Sequence, residues 1–169
     1  DKKLNDREDQ IIQKVKEIKI PFLYCNIVGA QDELVFDGSS FAVDETGMCF
    51  AKSESFIEDI LYVDLKSTSR IKINYNSKYE DYFNALTLGI KDYFSKTNNY
   101  EAIIGLSGGI DSAVVAVLAS HALGGAAVYG VSMPSKFSSE HSKKDAELLA
   151  HNLGIDFKTI PIQKLVDRF

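Results

Sequence analysis

The stretch that decides the fold reads Gly105-Leu106-Ser107-Gly108-Gly109-Ile110-Asp111-Ser112. An apolar run rich in β-branched residues, 102–106, precedes its glycines, and a run of small and apolar residues, 112–123, follows them. This order predicts a strand, a tight turn and a helix. The alternation then continues with a strand over 128–133, a helix over 142–153 and a strand over 157–162. It predicts a parallel sheet with right-handed crossover connections.

The residue types in this turn are suited to binding an anion. The adjacent glycines Gly108 and Gly109 allow close approach and let consecutive backbone N–H groups turn toward one point. The N-terminus of the next helix adds partial positive charge, and the hydroxyls of Ser107 and Ser112 can donate hydrogen bonds to phosphate oxygens. The pattern favours a polyphosphate ligand. The alternative is a tight strand-to-helix turn with a serine N-cap and no ligand.

Asp111 sets this loop apart from other phosphate-binding loops. A carboxylate at the mouth of a phosphate site repels the ligand unless a hard cation bridges the two. Asp111 is therefore a predicted ligand of Mg²⁺. The loop is not a Walker A motif, because no lysine follows its glycines, and it is not a dinucleotide-binding fingerprint.

The run Ser107-Gly108-Gly109-Ile110-Asp111-Ser112 resembles the pyrophosphatase loop of synthetases that cleave ATP between its α and β phosphates. This resemblance implies that residues 105–112 bind ATP. Met133-Pro134-Ser135 and the run 138–142 resemble the segment after the second strand of bacterial NAD synthetases. Because Met133 ends a predicted strand where nucleotides bind in parallel sheets, its backbone is expected to contact adenine. Lys136-Phe137 departs from the Arg-Tyr of many relatives, so no role is transferred to that pair.

The first half of the chain has a different pattern. Apolar residues at helical spacing predict an amphipathic helix over 3–19, and the dense apolar run 22–28 predicts a strand that is buried on both faces. Cys25, inside that run, is interpreted as a buried structural thiol. Short strands separated by Asp37-Gly38 and by the turn 44–47 are predicted next, over 34–36, 40–43, 49–51 and 57–65.

The run 21–41 resembles the late part of the nitrilase-like glutaminase domain that is fused to NAD synthetases, and Lys3 and Arg7 fit the same pattern. The expected fold is α/β: the C-terminal part of a nitrilase-like α-β-β-α domain, followed by the first half of a doubly wound, parallel-sheet domain that binds adenine nucleotides. The glutaminase part is expected over 1–65, a polar linker over 66–78, and the start of the synthetase domain over 79–169.

The resemblance to glutamine-dependent NAD synthetases implies a function. Such ligases adenylate nicotinic acid adenine dinucleotide with ATP and Mg²⁺, release pyrophosphate, and amidate the adenylate with ammonia, which comes from glutamine. The family's catalytic Cys, Glu and Lys are expected upstream of this chain, which is expected to be an internal fragment of a homo-oligomeric enzyme. Lys3 stands at a position where a cation can pair with the carboxylate of glutamine. A solvated lysine at a helix entrance is the alternative.

Composition argues against several other classes of protein. The 169 residues carry a net charge of −5, so no basic field favours nucleic acid. Two cysteines without metal-ligand spacing argue against zinc, and no apolar run is long enough to cross a bilayer. A cytoplasmic location is expected. Two other functions remain open: another synthetase with the same loop, such as a GMP synthetase, or a catalytically silent assembly fragment.

Overall fold

A computed structural model describes residues 2–66, 73 and 75–168, with side chains from residue 6 onward. The chain forms two compact units, Asp1–Ala85 and Leu86–Phe169. Their division falls within one long helix, Lys78–Lys96. Most of the predicted linker, namely residues 67–72 and 74, lies outside the described residues, so its bounds stay a prediction.

The first unit combines a helix with short antiparallel strands. Its elements are α1 Lys2–Ile18, β1 Phe22–Tyr24, β2 Val28–Gln31, β3 Leu34–Asp37, β4 Phe41–Val43 and β5 Cys49–Lys52. Helix α1 packs on the sheet through Val15, which is fully buried beside Phe41 and Val43. Strands β1, β4 and β5 form one sheet in the order β1-β4-β5, while β2 and β3 form a hairpin. These bounds confirm the predicted helix and the three short strands up to residue 52.

The prediction of one doubly buried strand over 22–28 is wrong. The run splits into β1 and the start of β2, and Leu23 is 55% exposed because β1 lies at the edge of its sheet in the described residues. Asn26 causes the break. Its backbone N–H donates to Ser40 Oγ at 3.0 Å, and its side-chain amide donates to Asp37 Oδ1 at 2.9 Å. Cys25 follows β1 and is exposed, so its interpretation as a buried thiol is also wrong.

Asp37 also holds α1 in place. The guanidinium of Arg7 donates two hydrogen bonds to its carboxylate, at 3.1 and 3.0 Å, and lies 5.0 Å from the centre of the Tyr24 ring. Bidentate pairs of this kind fix both distance and orientation. The contact joins α1 to the end of β3 across 30 residues.

The predicted strand over 57–65 is absent from the structure. Ser55 makes a single bridge to Gly38, after which the chain continues without a strand, leaving Ile60 75% exposed and Tyr62 85% exposed. Alternating acidic and apolar residues indicate a strand only where a neighbouring strand offers hydrogen bonds. No neighbouring strand lies beside this segment in the described part of the chain.

The long helix at the division of the two units is α2, Lys78–Lys96. Ser77 and Glu80 form a capping box at its start. Glu80 N–H donates to Ser77 Oγ at 3.3 Å, and Ser77 N–H donates to a carboxylate oxygen of Glu80 at 2.6 Å. The bond that the carboxylate accepts from Ser77 N–H, and then its interaction with the Ser77 hydroxyl, lower the pKa of the Glu80 carboxyl. The reciprocal bonds satisfy backbone donors that a helix start otherwise leaves open.

The second unit confirms the predicted parallel sheet. Its elements are β6 Ala102–Gly105, α3 Ile110–Leu123, β7 Val128–Ser132, α4 Glu140–Leu153 and β8 Asp156–Thr159, with a short α5 at Gln163–Val166. Strands β6, β7 and β8 lie in that order, and each neighbouring pair is parallel. Helices α3 and α4 connect the strands and contact both β7 and each other, so they cover the same face. Small residues allow the helices to approach closely: Ala116, Ala146 and Ala150 are all buried.

None of the helices in the described residues combines the length and the apolar character that a membrane crossing needs.

Candidate functional site

The glycine-rich loop, Leu106–Gly109, lies where β6 ends and α3 begins. Leu106 N–H donates to Val131 O at 2.8 Å, which extends the pairing with β7 and fixes the start of the loop. In parallel sheets, the edge at the carboxyl ends of the strands is where ligands bind. The loop therefore lies at the edge where the sequence predicts a nucleotide.

Gly108 determines the path of this loop. Its φ is +80°, which side chains disfavour, and Gly109 returns to an extended φ of −94°. A Cβ on Gly108 would lie 2.7 Å from both the Cα and the carbonyl carbon of Ser142, and closer still to the Ser142 oxygen. Glycine is thus required by conformation and by space. At Gly108 the loop therefore packs against the first turn of α4. The sequence pattern did not predict this contact.

The predicted hydroxyl donors of the loop lie close together. Ser107 Oγ and Ser112 Oγ are 3.0 Å apart, and Ser112 Oγ also lies 3.0 Å from the Gly109 carbonyl oxygen, to which it donates. Gly109 N–H donates to Ser107 Oγ at 3.1 Å. Ser107 N–H also donates to Ser112 Oγ, at 3.3 Å, so two backbone N–H groups of this turn are bonded within it. An incoming phosphate would compete for the serine hydroxyls, which lie on exposed or half-buried residues.

The first turn of α3 supplies the other polar groups. Gly109 is its N-cap and has no side chain to accept hydrogen bonds from the first N–H groups. Ile110 and Asp111 follow at the first two helical positions, and both residues are exposed. The helix begins two residues before its predicted start, so Asp111 lies within the helix end where an anion is stabilised.

Asp111 fits a magnesium site only together with a ligand. Among residues 2–66, 73 and 75–168, no three acidic, histidine or cysteine side chains are grouped so as to hold a metal ion. Mg²⁺ is commonly bound by one or two carboxylates plus substrate phosphates, and it keeps several waters. A single exposed carboxylate beside a loop that is predicted to bind phosphate matches that kind of site.

The remaining predicted ATP-binding residues have different environments. Leu106 is 2% exposed as a whole residue, belongs to the core and has its N–H bonded to Val131 O, so it supports the loop from beneath. Ile110 is 76% exposed. Met133 directly follows β7, and its Cε lies 3.5 Å from the position of a Cβ on Gly105. The structure thus brings Met133 beside the loop. Lys3 lies within α1, but its side chain is outside the described residues.

The turn of α4 against which the loop lies has its own cap. Ser139 is the N-cap residue, and its Oγ accepts a hydrogen bond from Ser142 N–H at 3.1 Å. Ser139→Ala is expected to speed hydrogen exchange of the amides at 142–143 by about five-fold, because losing a serine cap costs about 1 kcal/mol. Ser139→Asp restores an acceptor and should keep slow exchange. Equal exchange rates in the alanine variant and the unmodified protein would contradict the role of this cap.

The two cysteines of the first unit lie in different environments. Cys49 is half-buried, and burial raises the pKa of its thiol. A raised pKa keeps the thiol protonated and poorly nucleophilic. Exposed Cys25 is not at the position of any catalytic residue implied by the sequence resemblance.

Comparisons with known proteins place these features in context. A family model described as NAD synthase matches residues 82–169, just over half of the chain. A glutamine-dependent NAD(+) synthetase from Synechocystis is 44% identical over 162 residues, covering 92% of this chain and 29% of the relative. A structure of glutamine-dependent NAD+ synthetase from Acinetobacter baumannii in complex with adenosine diphosphate has a TM-score of 0.91 and 31% identity. It covers 99% of this chain, which spans 33% of that protein.

One further structure matches a smaller share of the chain. It is an NH3-dependent NAD synthetase from Campylobacter jejuni, with a TM-score of 0.51 and 31% identity over 55% of this chain and 40% of that protein. The chain therefore spans about a third of the length of the relatives that match it over nearly its whole length.

Proposed function

The chain belongs to the NAD synthase family, and on that premise we propose that it is part of a glutamine-dependent NAD synthetase, a carbon–nitrogen ligase. The observation that carries this proposal is the loop Leu106–Gly109, which leads into the uncapped N-terminus of α3 at the carboxyl edge of a parallel sheet. The related structure with adenosine diphosphate supports a nucleotide as the ligand.

The proposed reaction has two steps. A carboxylate oxygen of nicotinic acid adenine dinucleotide attacks the α phosphorus of ATP, and the bond from that phosphorus to the bridging oxygen breaks to release pyrophosphate. Ammonia then attacks the acyl carbon of the adenylate. The bond from that carbon to AMP breaks, a proton is lost, and the amide of NAD remains.

The second unit would bind and position ATP for the first step. The hydroxyls of Ser107 and Ser112 donate to oxygens of the β and γ phosphates, and the N–H groups of the first turn of α3 point at the same charge. Asp111, with those phosphate oxygens, would hold Mg²⁺. When bound there, the metal would neutralise charge that develops on the leaving pyrophosphate. Positioning and electrostatic stabilisation need no covalent nucleophile here.

Met133 and Gly105 would border the adenine. Their proximity supports this assignment, since the methionine side chain and the end of β6 both adjoin the loop. The backbone of Met133 can offer hydrogen bonds to the base while its side chain covers one face.

Residues 1–65 would form the end of a nitrilase-like glutaminase domain, and 79–169 the start of the synthetase domain, with a linker over 66–78. Lys3 would pair with the carboxylate of glutamine. The catalytic cysteine, glutamate and lysine of the glutaminase are proposed to lie in the part of the enzyme outside this chain. We also propose a homo-oligomer that works in the cytoplasm, as the family resemblance implies.

Product analysis of the full-length enzyme tests the proposal. With nicotinic acid adenine dinucleotide, ATP and Mg²⁺, either glutamine or ammonia should give NAD, AMP and pyrophosphate in equal amounts. Xanthosine monophosphate, offered as a competing acceptor, should remain unaminated. Formation of ADP and phosphate would contradict the loop assignment, while amination of xanthosine monophosphate would replace NAD synthesis with GMP synthesis.

A further inference from the structure

A buried ion pair in the first unit plays no part in the proposed chemistry. Lys52, in β5, pairs with Glu8, in α1, and their side chains are 7% and 13% exposed. Removing one partner of such a pair leaves an uncompensated charge in a medium of low dielectric constant, which is strongly destabilising. Glu8 and Lys52 are therefore needed together. Apolar residues at both positions could join α1 to β5 without burying any charge.

One member of the pair, Lys52, also contacts the ring of Tyr75. Lys52 Nζ lies 4.7 Å from the centre of that ring, within the range of a cation–π interaction. Burial, and then the negative charge of Glu8, raise the pKa of the Tyr75 phenol, so the ring remains neutral near pH 7. The residue as a whole is 66% exposed. Its contact with Lys52 is thus made by part of its surface.

The two residues after Tyr75 form hydrogen bonds with the first turn of α2. Asn76 donates a hydrogen bond to Asp81 Oδ1 at 3.2 Å, and Ser77 begins the capping box with Glu80. Hydrogen bonds therefore continue from the residue after Tyr75 into the first turn of the helix. Asn76 and Ser77 are the two residues between Tyr75 and α2, so the position of Tyr75 constrains where the first turn of the helix lies.

We propose that Glu8, Lys52 and Tyr75 form a latch that fixes the entrance of α2 to the first unit and keeps glutamine hydrolysis coupled to NAD formation. The coupling part rests on the proposed function. Tyr75 is in this respect a positioning residue, because it acts through α2. Its position in the predicted linker, three residues before α2 begins, places it on the covalent path between the two proposed domains.

The test compares Tyr75→Leu with Tyr75→Phe in the full-length enzyme. Leucine removes the ring, whereas phenylalanine keeps the face that contacts Lys52. We expect Tyr75→Leu to speed hydrogen exchange at the amides of Glu80 and Asp81 by roughly 2- to 30-fold, the factor that corresponds to about 0.5–2 kcal/mol. Tyr75→Phe should exchange as slowly as the unmodified enzyme. Tyr62→Leu, at a tyrosine that is 85% exposed, is the control for loss of a surface ring.

A second readout separates the latch from general destabilisation. In Tyr75→Leu, the glutamate released per NAD formed should rise at least about two-fold, while NAD formation from ammonia stays unchanged. Unchanged exchange in Tyr75→Leu would overturn the latch, and faster exchange with an unchanged ratio would overturn its role in coupling. If the unmodified enzyme forms no NAD, the proposed function fails, and the exchange experiment still decides whether the latch exists.

Discussion

Asp111→Asn is expected to lower the rate of NAD formation by about 10²–10³-fold, with glutamine and with ammonia alike. Asparagine keeps the size of the side chain but removes the charge that would hold Mg²⁺ beside the phosphates. The carboxylate is exposed in the first turn of α3, so the substitution of asparagine for Asp111 should leave folding intact. The loss should appear in the rate of pyrophosphate release, measured at saturating ATP over a range of Mg²⁺ concentrations.

Asp156→Asn is the matched control for this charge change. Asp156 is also exposed, but it begins β8, so it lies at the amino ends of the strands, whereas the loop follows the carboxyl end of β6. Its variant should retain the full rate. Equal rates in Asp111→Asn and the unmodified enzyme would remove Asp111 from the metal site and leave the loop as a structural turn.

Gly108→Ala is expected to reduce NAD formation by roughly 100-fold or more, because a displacement of about 1 Å in a catalytic site can have that effect. The added methyl group would overlap the backbone of Ser142, which cannot rotate away as a side chain could. The loop or the first turn of α4 must therefore move. Initial rates at increasing ATP concentrations should show a lower kcat together with a raised KM for ATP.

Gly154→Ala distinguishes overlap from backbone strain. Gly154 also has a positive φ, +64°, but a Cβ there meets nothing within 4 Å. That variant bears only the conformational cost of a left-handed residue, about 1–2 kcal/mol, and it should keep its activity. If the two alanine variants lose activity equally, close packing against Ser142 is not what places the loop.

The sequence predicts the second unit well because its signals are local. Each strand and helix between residues 102 and 159 coincides with its own run of apolar, small or amphipathic sequence, and Gly108-Gly109 marks the turn without reference to distant residues. The packing of Gly108 against the backbone of Ser142 is not a local signal. Thirty-four positions separate the two residues, and nothing in either side chain specifies that contact.

The first unit is less predictable because its interactions are long-range. The break after β1 depends on Asn26 bonding to Asp37 and Ser40, and the pairing of β1 with β4 spans a hairpin. An apolar run cannot show where such a bond interrupts it. The segment after Ser55 likewise has the alternation of a strand but finds no partner strand in the described chain. Hydrogen-bond partners, rather than periodicity, decide both outcomes.

A crystal structure of the full-length enzyme with Mg²⁺ and α,β-methylene ATP, which resists cleavage between its α and β phosphates, tests the central claim most directly. We predict that the β and γ phosphates lie within hydrogen-bonding distance of the hydroxyls of Ser107 and Ser112, with Mg²⁺ between these phosphates and Asp111. Phosphates bound away from the loop, with the Ser107–Ser112 hydrogen bond unchanged, would contradict the account.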